Sequence, residues 1–200
     1  MEFQARIDMI RNDPHLLSFG QDAAVKEKTE EKSKVFEELL AWQEKVFLIC
    51  LGFSRNKVDA QDLTQEVYLK VYRNIDTLKD LSLSKFWLFR IARNTCLDFI
   101  RKHRLRRISS LELDHEPKEF RTPESELIFQ EQLRALKVCI QKLPKKLRDV
   151  FILKEYGELS YQEIAEVLKI KEGTVPSRLT RARQAIMNQL KGEKNEKRIE

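Results

Sequence analysis

Glycine and proline are scarce in this chain of 200 residues, with five of each. Sandwiches and barrels need many tight turns, so this scarcity excludes the common all-β architectures. Leu, Glu, Lys and Arg are abundant by contrast, and all four are good helix formers. We therefore expect an all-α fold with two small helical domains joined by an extended linker.

Cysteine is also rare, and Cys50, Cys96 and Cys139 lie far apart with no CxxC pair. Zinc sites use closely spaced cysteines, so no metal site is expected. Three scattered cysteines fit reduced thiols in the core of a cytoplasmic protein.

Long apolar runs are missing as well. The longest, Val46 to Phe53, is interrupted by Gly52 and is too short to span a bilayer. The N-terminus lacks the basic-then-apolar pattern of a signal peptide. We expect a cytoplasmic protein without membrane insertion.

The sequence shows no arrangement typical of an enzyme. His15, His103 and His115 are scattered, and there is no HExxH, Walker loop or GxGxxG. Asp59 and Asp62 fit helix capping better than metal binding. No catalytic residue and no cofactor are predicted.

Positive charge is concentrated in one segment. The chain has a net charge of +6, which favours a polyanionic partner. Residues 85–107 contain eight Lys or Arg and one acid, so they exceed the net charge of the whole chain. Residues 108–126 reverse the sign with six acids and two bases, and Pro117 and Pro123 interrupt any helix. This acidic segment is typical of a linker between domains.

Helical periodicity predicts helices on both sides of this linker. A first helix starts at Ser33 and ends near Gly52, a second is capped by Asp59, and a third runs from Ser84 past Ile100. The second helix carries a stripe of apolar residues at steps of four, which predicts one buried face; they are Leu63, Val67, Val71 and Ile75. Beyond the linker, Pro144 suits a helix start. The predicted divisions are an N-terminal extension (1–32), a first domain (33–107), a linker (108–125), a second domain (126–191) and a charged tail (192–200).

Residues 160–184 have the pattern of a helix-turn-helix. Ser160 and Glu163 form a capping box, and a basic helix follows after a tight connection. Pro176 must lie in the first turn of that helix, which should therefore begin near Glu172 or Gly173. Its outward side chains could read the major groove; they are Ser177, Arg178, Thr180, Arg181, Arg183 and Gln184. The alternative is a helical hairpin with a solvated charged face.

Two further segments suggest binding surfaces. The basic stretch near Arg90 to Arg107 adjoins Phe86, Trp87 and Phe89, and aromatic rings beside cations can stack on exposed bases. For any single one of these aromatics, a place in the core is the better explanation. The polar members of residues 62–68 could form a protein-docking face, although an ordinary amphipathic helix explains them as well.

Together these segments resemble the extracytoplasmic-function (ECF) sigma factors of the sigma-70 family, over about residues 35–191. Residues 59–73 (DAQDLTQEVYLKVYR) are similar to region 2.2, and residues 86–101 (FWLFRIARNTCLDFIR) are similar to regions 2.3 and 2.4. Residues 143–155, 159–165 (LSYQEIA) and 173–183 are similar to region 4.

The resemblance implies a role for each surface. Docking on the β′ clamp helices of core RNA polymerase would use Asp62, Gln65, Glu66 and Leu69. Recognition of the −10 promoter element, with a flipped base, would use Trp87, Arg90, Arg93, Asn94, Arg101 and Arg104. The helix from Thr174 to Gln184 would bind the −35 element, and the second domain would touch the β flap. The family also implies an anti-sigma factor as a partner and a stress or envelope regulon.

Two residues depart from the family pattern. Pro176 stands where Lys or Arg is frequent. Lys169 occupies a turn where Gly is frequent, so we expect modest strain or altered geometry there. Two rival interpretations remain at this point. One is a stand-alone helix-turn-helix regulator that binds an operator without polymerase, and the other is an enzyme acting on nucleic acid.

Overall fold

Helices make up the whole of the secondary structure in the parts of the chain that the computed structural model describes, namely residues 23–54, 56–78, 80–109 and 124–196. The all-α prediction is therefore confirmed. The eight α-helices of these ranges are α1 (Ala23–Leu40), α2 (Gln43–Ser54), α3 (Lys57–Asn74), α4 (Ser84–Ser109), α5 (Glu124–Lys142), α6 (Lys145–Glu155), α7 (Tyr161–Leu168) and α8 (Thr174–Glu196). Most of the predicted linker, together with residues 1–22 and 197–200, lies outside the described residues.

Two helices replace the single one predicted between Ser33 and Gly52. The helix α1 starts ten residues earlier because the Lys- and Glu-rich stretch before Ser33 has good helix formers and no Gly or Pro. The chain then turns at Ala41 and Trp42, whose amides donate to carbonyls three residues back. Such short bonds tighten a last turn and end a helix.

The start of α3 also differs from the prediction. Asn56, and not Asp59, is the N-cap, because its side-chain oxygen accepts the amide of Asp59 at 2.7 Å. The Asn56 amide group donates in return to the Asp59 carboxylate at 2.5 Å. Asp59 therefore lies at the third helical position, where its negative charge still interacts favourably with the positive end of the helix dipole.

The first domain packs α2, α3 and α4 around one core. The predicted stripe of α3 is buried, and Tyr68 beside it donates its hydroxyl to the carbonyl of Leu39 in α1 at 3.0 Å. Cys50 of α2 and Cys96 of α4 meet in the centre, with their sulfur atoms 3.6 Å apart. Both are free, buried thiols, as is Cys139.

The second domain contains the predicted helix-turn-helix. Ser160 and Glu163 form the capping box of α7, and both reciprocal hydrogen bonds are present. Lys169 ends α7 with a φ of 53°, in the left-handed region that costs energy for a residue with a side chain. The strain predicted for this turn is thus confirmed. Pro144 caps α6 one residue before its first helical position.

The two domains pack against each other, and their buried side chains form one continuous core. Gly52 of α2 lies directly against α6, since a Cβ built there would stand 2.8 Å from Cγ2 of Ile152 and 2.9 Å from Cγ of Tyr156. Gly157, after α6, approaches Ile49 of α2 equally closely. Only glycine lets the backbone approach side chains of the other domain this closely.

Two observations concern only the part of the chain just described. No helix there is long and apolar enough to cross a membrane. No group of three His, Cys, Asp or Glu side chains is placed there to hold a metal ion.

Candidate nucleic-acid interface

The outer face of α8 presents a row of polar and basic side chains. Val175, Leu179 and Ala182 are buried on the opposite face, which fixes the rotation of the helix against the rest of the second domain. The side chains of the row that are exposed are Ser177, Thr180, Arg181, Arg183 and Gln184, while Thr174 and Arg178 are half-buried. An exposed row of this kind on a packed helix has the shape that fits a major groove.

Pro176 is accommodated because α8 begins at Thr174. The amides of Thr174 and Val175 donate to the carbonyls of Lys171 and Glu172, both at 2.9 Å. Pro176 follows in the first turn, where a backbone N–H has no partner within the helix in any case. The helix therefore starts one residue later than the predicted range.

The three arginines of α8 differ in their surroundings. Arg183 donates from Nη2 and Nε to one oxygen of Glu155 in α6, at 2.6 and 3.2 Å. Hydrogen bonding to Glu155 and its negative charge raise the pKa of Arg183. Arg178 and Arg181 have no ion-pair partner among the side chains that the structure describes, so their guanidinium groups need no release before they can bind an anion.

A cleft of about 340 Å³ opens between α3 and α4. Trp87 and Asn94 of α4, both predicted to contact the −10 element, line the same cleft. Lys70 and Asn74 line its other side, and sequence reasoning missed both. Their spacing of four residues, beside the predicted buried stripe of α3, was the available signal.

The aromatic residues at the start of α4 differ in how deeply they are buried. Phe89 is fully buried and packs edge-on against Trp42, with ring centroids 6.0 Å apart, so it belongs to the core. Phe86 is partly buried against the same core, as is Trp87, which still reaches the cleft. Trp87 therefore retains a surface that an unstacked base could contact.

Three cations of α4, all half-buried, contact the second domain. Arg93 donates Nε to Oδ2 of Asp149 at 2.9 Å and Nη2 to the same oxygen, while Arg90 donates to the backbone carbonyl of Glu166 at 3.2 Å. Lys85 pairs with Glu163. Further along α4, Arg101 is exposed beside Asp98 at 3.3 Å, and the Arg104 side chain lies outside the described residues.

Lys85 contacts both domains. Its Nζ lies 4.3 Å from the ring centroid of Trp42 in the first domain and also binds Glu163 in the second. Burial opposes ionisation of Glu163, but hydrogen bonds from Lys85 and Ser160 outweigh it and lower the pKa of Glu163. The Glu163 carboxylate is therefore held in its charged form.

The outer face of α3 carries the predicted docking residues. Asp62, Glu66 and Leu69 are exposed, and Gln65 is half-buried. Glu66 pairs with Lys70 at 2.7 Å, and Lys70 also donates to Thr95 of α4 at 3.1 Å. The docking face and the α3–α4 cleft thus share a polar network.

Comparison with known proteins gives two separate family matches along the chain. Residues 40–106 match the family "Sigma-70 region 2", and residues 133–186 match "Sigma-70, region 4". The RNA polymerase sigma-H factor of Pseudomonas aeruginosa is 32% identical over 182 residues, which cover 86% of this chain and 94% of that protein. The ECF RNA polymerase sigma factor SigW of Bacillus subtilis is 32% identical over 164 residues, which cover 75% and 85%.

A solved structure has the same architecture. The sigma factor RpoE of Bartonella quintana, in complex with the anti-sigma factor NepR, is 25% identical, with a TM-score of 0.56 over 78% of this chain and 95% of that one. The outward row of α8, the α3–α4 cleft and both regional matches lead to one assignment. The chain belongs to the extracytoplasmic-function sigma factors of the sigma-70 family.

Proposed function

We propose that this sigma factor uses α8 to read the −35 element, the α3–α4 cleft with the cations of α4 to hold the −10 element, and the outer face of α3 to dock on core RNA polymerase. The observation that carries the proposal is the row of outward side chains on α8, held in place by its buried opposite face. Arg178 and Arg181 of this row can each bind a guanine edge or a phosphate.

The cleft between α3 and α4 supports a role in capturing an unstacked base. Trp87 offers a ring face, and Asn74 and Asn94 offer amide groups that can both donate and accept hydrogen bonds. Stacking returns about 1–3 kcal/mol per base, which is comparable to the few kcal/mol lost when a base step is unstacked. The cleft could therefore stabilise an opened base without an energy source.

The exposed face of α3 supports the docking role. Leu69 is a large apolar side chain that is 37% exposed, and Asp62 and Glu66 flank it with negative charge. An exposed apolar residue with a charged rim is a common arrangement in protein interfaces. The β′ clamp helices of core polymerase are the proposed partner, with a second contact between the second domain and the β flap.

Binding at two separate elements explains why polymerase is needed. Each small domain binds DNA weakly alone, and a scaffold that fixes the two domains at the promoter spacing raises the effective concentration of the second contact. An anti-sigma factor that blocks this assembly is a further proposed partner, supported by the structural likeness to RpoE in its complex with NepR.

Run-off transcription with purified core polymerase and a library of promoters tests the proposal. We expect transcripts from a subset of templates that share two elements at fixed spacing. Asp62→Arg should weaken binding to core polymerase, whereas Glu38→Arg, the same charge reversal on the exposed face of α1, should not. Absence of binding between the wild-type chain and core polymerase would remove the proposal.

The alternative of a regulator acting without polymerase makes the opposite prediction. Such a protein binds its operator tightly and specifically as an isolated chain, with typical dissociation constants of about 10⁻⁸–10⁻¹¹ M. The match to Sigma-70 region 2 over residues 40–106 gives this alternative no support. A gel-shift assay of the isolated chain on the templates selected above separates the two functions.

A further inference from the structure

We infer that a small cavity between α2, α5 and the end of α6 binds a medium-chain carboxylic acid. The cavity has a volume of about 220 Å³. Its lining residues are Leu51, Gly52, Lys137, Ile140 and Tyr156. None of the five belongs to the surfaces proposed above for DNA or for polymerase, so this site is independent of the proposed function.

The inner wall of the cavity is apolar. Ile140 is only 2% exposed, and Leu51 is half-buried against the same core. Gly52 contributes only backbone, since a Cβ built there would collide with Ile152 and Tyr156. A buried water molecule needs about three hydrogen-bond partners, which such a wall does not offer. The depth of the cavity therefore suits an apolar group better than water.

Two polar groups of the lining have no partner in the described part of the chain. Lys137 is exposed, and its ammonium group forms no ion pair with any side chain of that part. Tyr156 is half-buried, and its hydroxyl makes no hydrogen bond there. Burial raises the pKa of Tyr156, so the hydroxyl keeps its proton at neutral pH and remains a donor. A cation and a donor at one cavity favour an anion that accepts hydrogen bonds.

The positions of Lys137 and Ile140 on α5 set the orientation of the ligand. They are three residues apart and therefore lie on the same face of the helix. Lys137 is exposed and Ile140 is buried, so the charged group stands at the mouth and the apolar group in the depth. A ligand with an anionic head and an apolar tail matches this order.

One lysine also selects the kind of anion. A single ammonium group balances a single negative charge, as on a carboxylate. A phosphate monoester carries about −1.5 to −2 at neutral pH, so part of its charge would enter a mainly apolar cavity without a counter-ion. A monocarboxylate is therefore the better match.

The volume limits the length of the tail. A water molecule takes up about 30 Å³ of the liquid, and a methylene group is of similar size, so about seven such groups fill the cavity. Pockets for drug-sized ligands are larger, at about 300–1,000 Å³. Linear acids of about six to eight carbons therefore fit.

An occupant of the cavity contacts both domains. Leu51 belongs to α2 of the first domain and Ile140 to α5 of the second. Beside the cavity, the Gln141 side chain donates to the carbonyl of Phe53 at 2.8 Å and holds α5 against α2. A ligand that binds this folded arrangement and not the unfolded chain raises the midpoint of thermal unfolding.

A series of linear acids tests the inference on the full chain. Butanoate, hexanoate, octanoate and decanoate are titrated in turn by isothermal titration calorimetry. We expect one saturable site whose affinity rises about fourfold per methylene group up to about eight carbons, because each buried methylene contributes to binding. The affinity should level off for decanoate, since the cavity is then full.

Variants at the mouth and the wall assign the binding to this cavity. Lys137→Gln should weaken octanoate binding about tenfold by removing the charge-assisted contact, and should leave the binding of the neutral 1-octanol unchanged. Lys146→Gln, at an exposed lysine of α6 outside the cavity, is the matched control and should change neither. Leu51→Phe narrows the cavity and should shift the plateau to shorter acids, with circular dichroism as the check that this variant folds.

Three outcomes would overturn the inference. The first is the absence of saturable binding for every acid of the series, and the second is an affinity that keeps rising at decanoate. The third is an equal effect of Lys137→Gln and Lys146→Gln on octanoate binding, a comparison that does not depend on Leu51→Phe. None of these outcomes bears on the proposed function, because run-off transcription with core polymerase needs no acid.

Discussion

Arg93 in α4 and Asp149 in α6 form a hydrogen-bonded ion pair across the two domains, with Nε 2.9 Å from Oδ2. The family resemblance implies a DNA contact for Arg93, and in the structure Arg93 contacts a carboxylate of the second domain. The row on α8 remains outward, so the two proposed DNA-binding surfaces are not buried against each other. The pair therefore involves only the surface proposed to bind the −10 element, and not the row on α8.

Loss of Arg178 or Arg181 should lower transcription from promoters that have a −35 element. One bidentate contact to a base discriminates by about 1–3 kcal/mol, so each Ala variant should lose roughly 5- to 150-fold in run-off transcription. The same variants on templates with a scrambled −35 element supply the control, where their deficit should disappear. An equal deficit on both templates would place these arginines outside −35 recognition.

Arg183→Ala should cost less than Arg181→Ala in the same assay. Arg183 is held by Glu155, so a contact with DNA would have to replace an existing ion pair. Glu155→Gln frees Arg183 and should partly offset the loss seen with Arg181→Ala. A larger loss for Arg183→Ala than for Arg181→Ala would contradict this ranking.

Lys169→Gly should stabilise the second domain. Lys169 has a φ of 53°, and glycine adopts this conformation without the cost that a side chain brings. We expect a gain of about 1 kcal/mol, or roughly 2–4 °C in the midpoint of thermal unfolding followed by circular dichroism. Lys171→Gly, at a neighbouring position without a positive φ, should lower the midpoint or leave it unchanged.

Acid should remove the stabilisation that Glu163 provides. Its folded-state pKa lies below the ordinary value of 4.5, so the contribution is complete above that pH and is lost as the pH falls through the folded-state pKa. Glu163→Gln keeps a side chain that suits the capping box but loses the charge facing Lys85. In urea unfolding, the free energy of unfolding of the wild type should exceed that of this variant by about 1 kcal/mol at pH 7. This difference should disappear on acidification. A gap that is independent of pH would assign the effect to capping alone.

The thiols should be inert in the native protein. Cys50, Cys96 and Cys139 are fully buried, and the hydrogen bond to Cys50 together with burial raises the pKa of Cys96. The reactive thiolate is therefore rare, and a reagent must wait for the core to open. Ellman's reagent should detect no fast thiol at neutral pH and all three in guanidinium chloride. A rapid native reaction would show that the contact between α2 and α4 opens locally.

The sequence predicted the helices where periodicity or capping was strong. The stripe of α3 and the Ser160 capping box are both present in the structure. Both could be predicted because apolar spacing and a two-residue cap are local signals. The split between α1 and α2 at Trp42 escaped prediction, since no Gly or Pro marks it. Asn56 was missed as the α3 cap because Asp59, three residues later, is an equally good capping type.

For the candidate site, the sequence predicted which helices carry the side chains but not which residues those side chains contact. Thr180 and Arg181 are exposed as their position on α8 predicts, since one helix face follows from the spacing of its apolar residues. Lys70 joins the cleft through contact between α3 and α4, and Asp149 meets Arg93 across 56 positions of sequence. Contacts at such separation depend on how the helices pack, which periodicity does not encode.

The close approach at Gly52 limits how freely the two halves of this protein can be exchanged with those of relatives. A hybrid that joins this first domain to a foreign second domain would face Gly52 with side chains other than Ile152 and Tyr156, and would leave either a void or a collision. It would also leave Lys85 and Arg93 without their acids. Hybrids that carry residues 145–166 along with the first domain would preserve this fit, whereas those cut inside the linker would not.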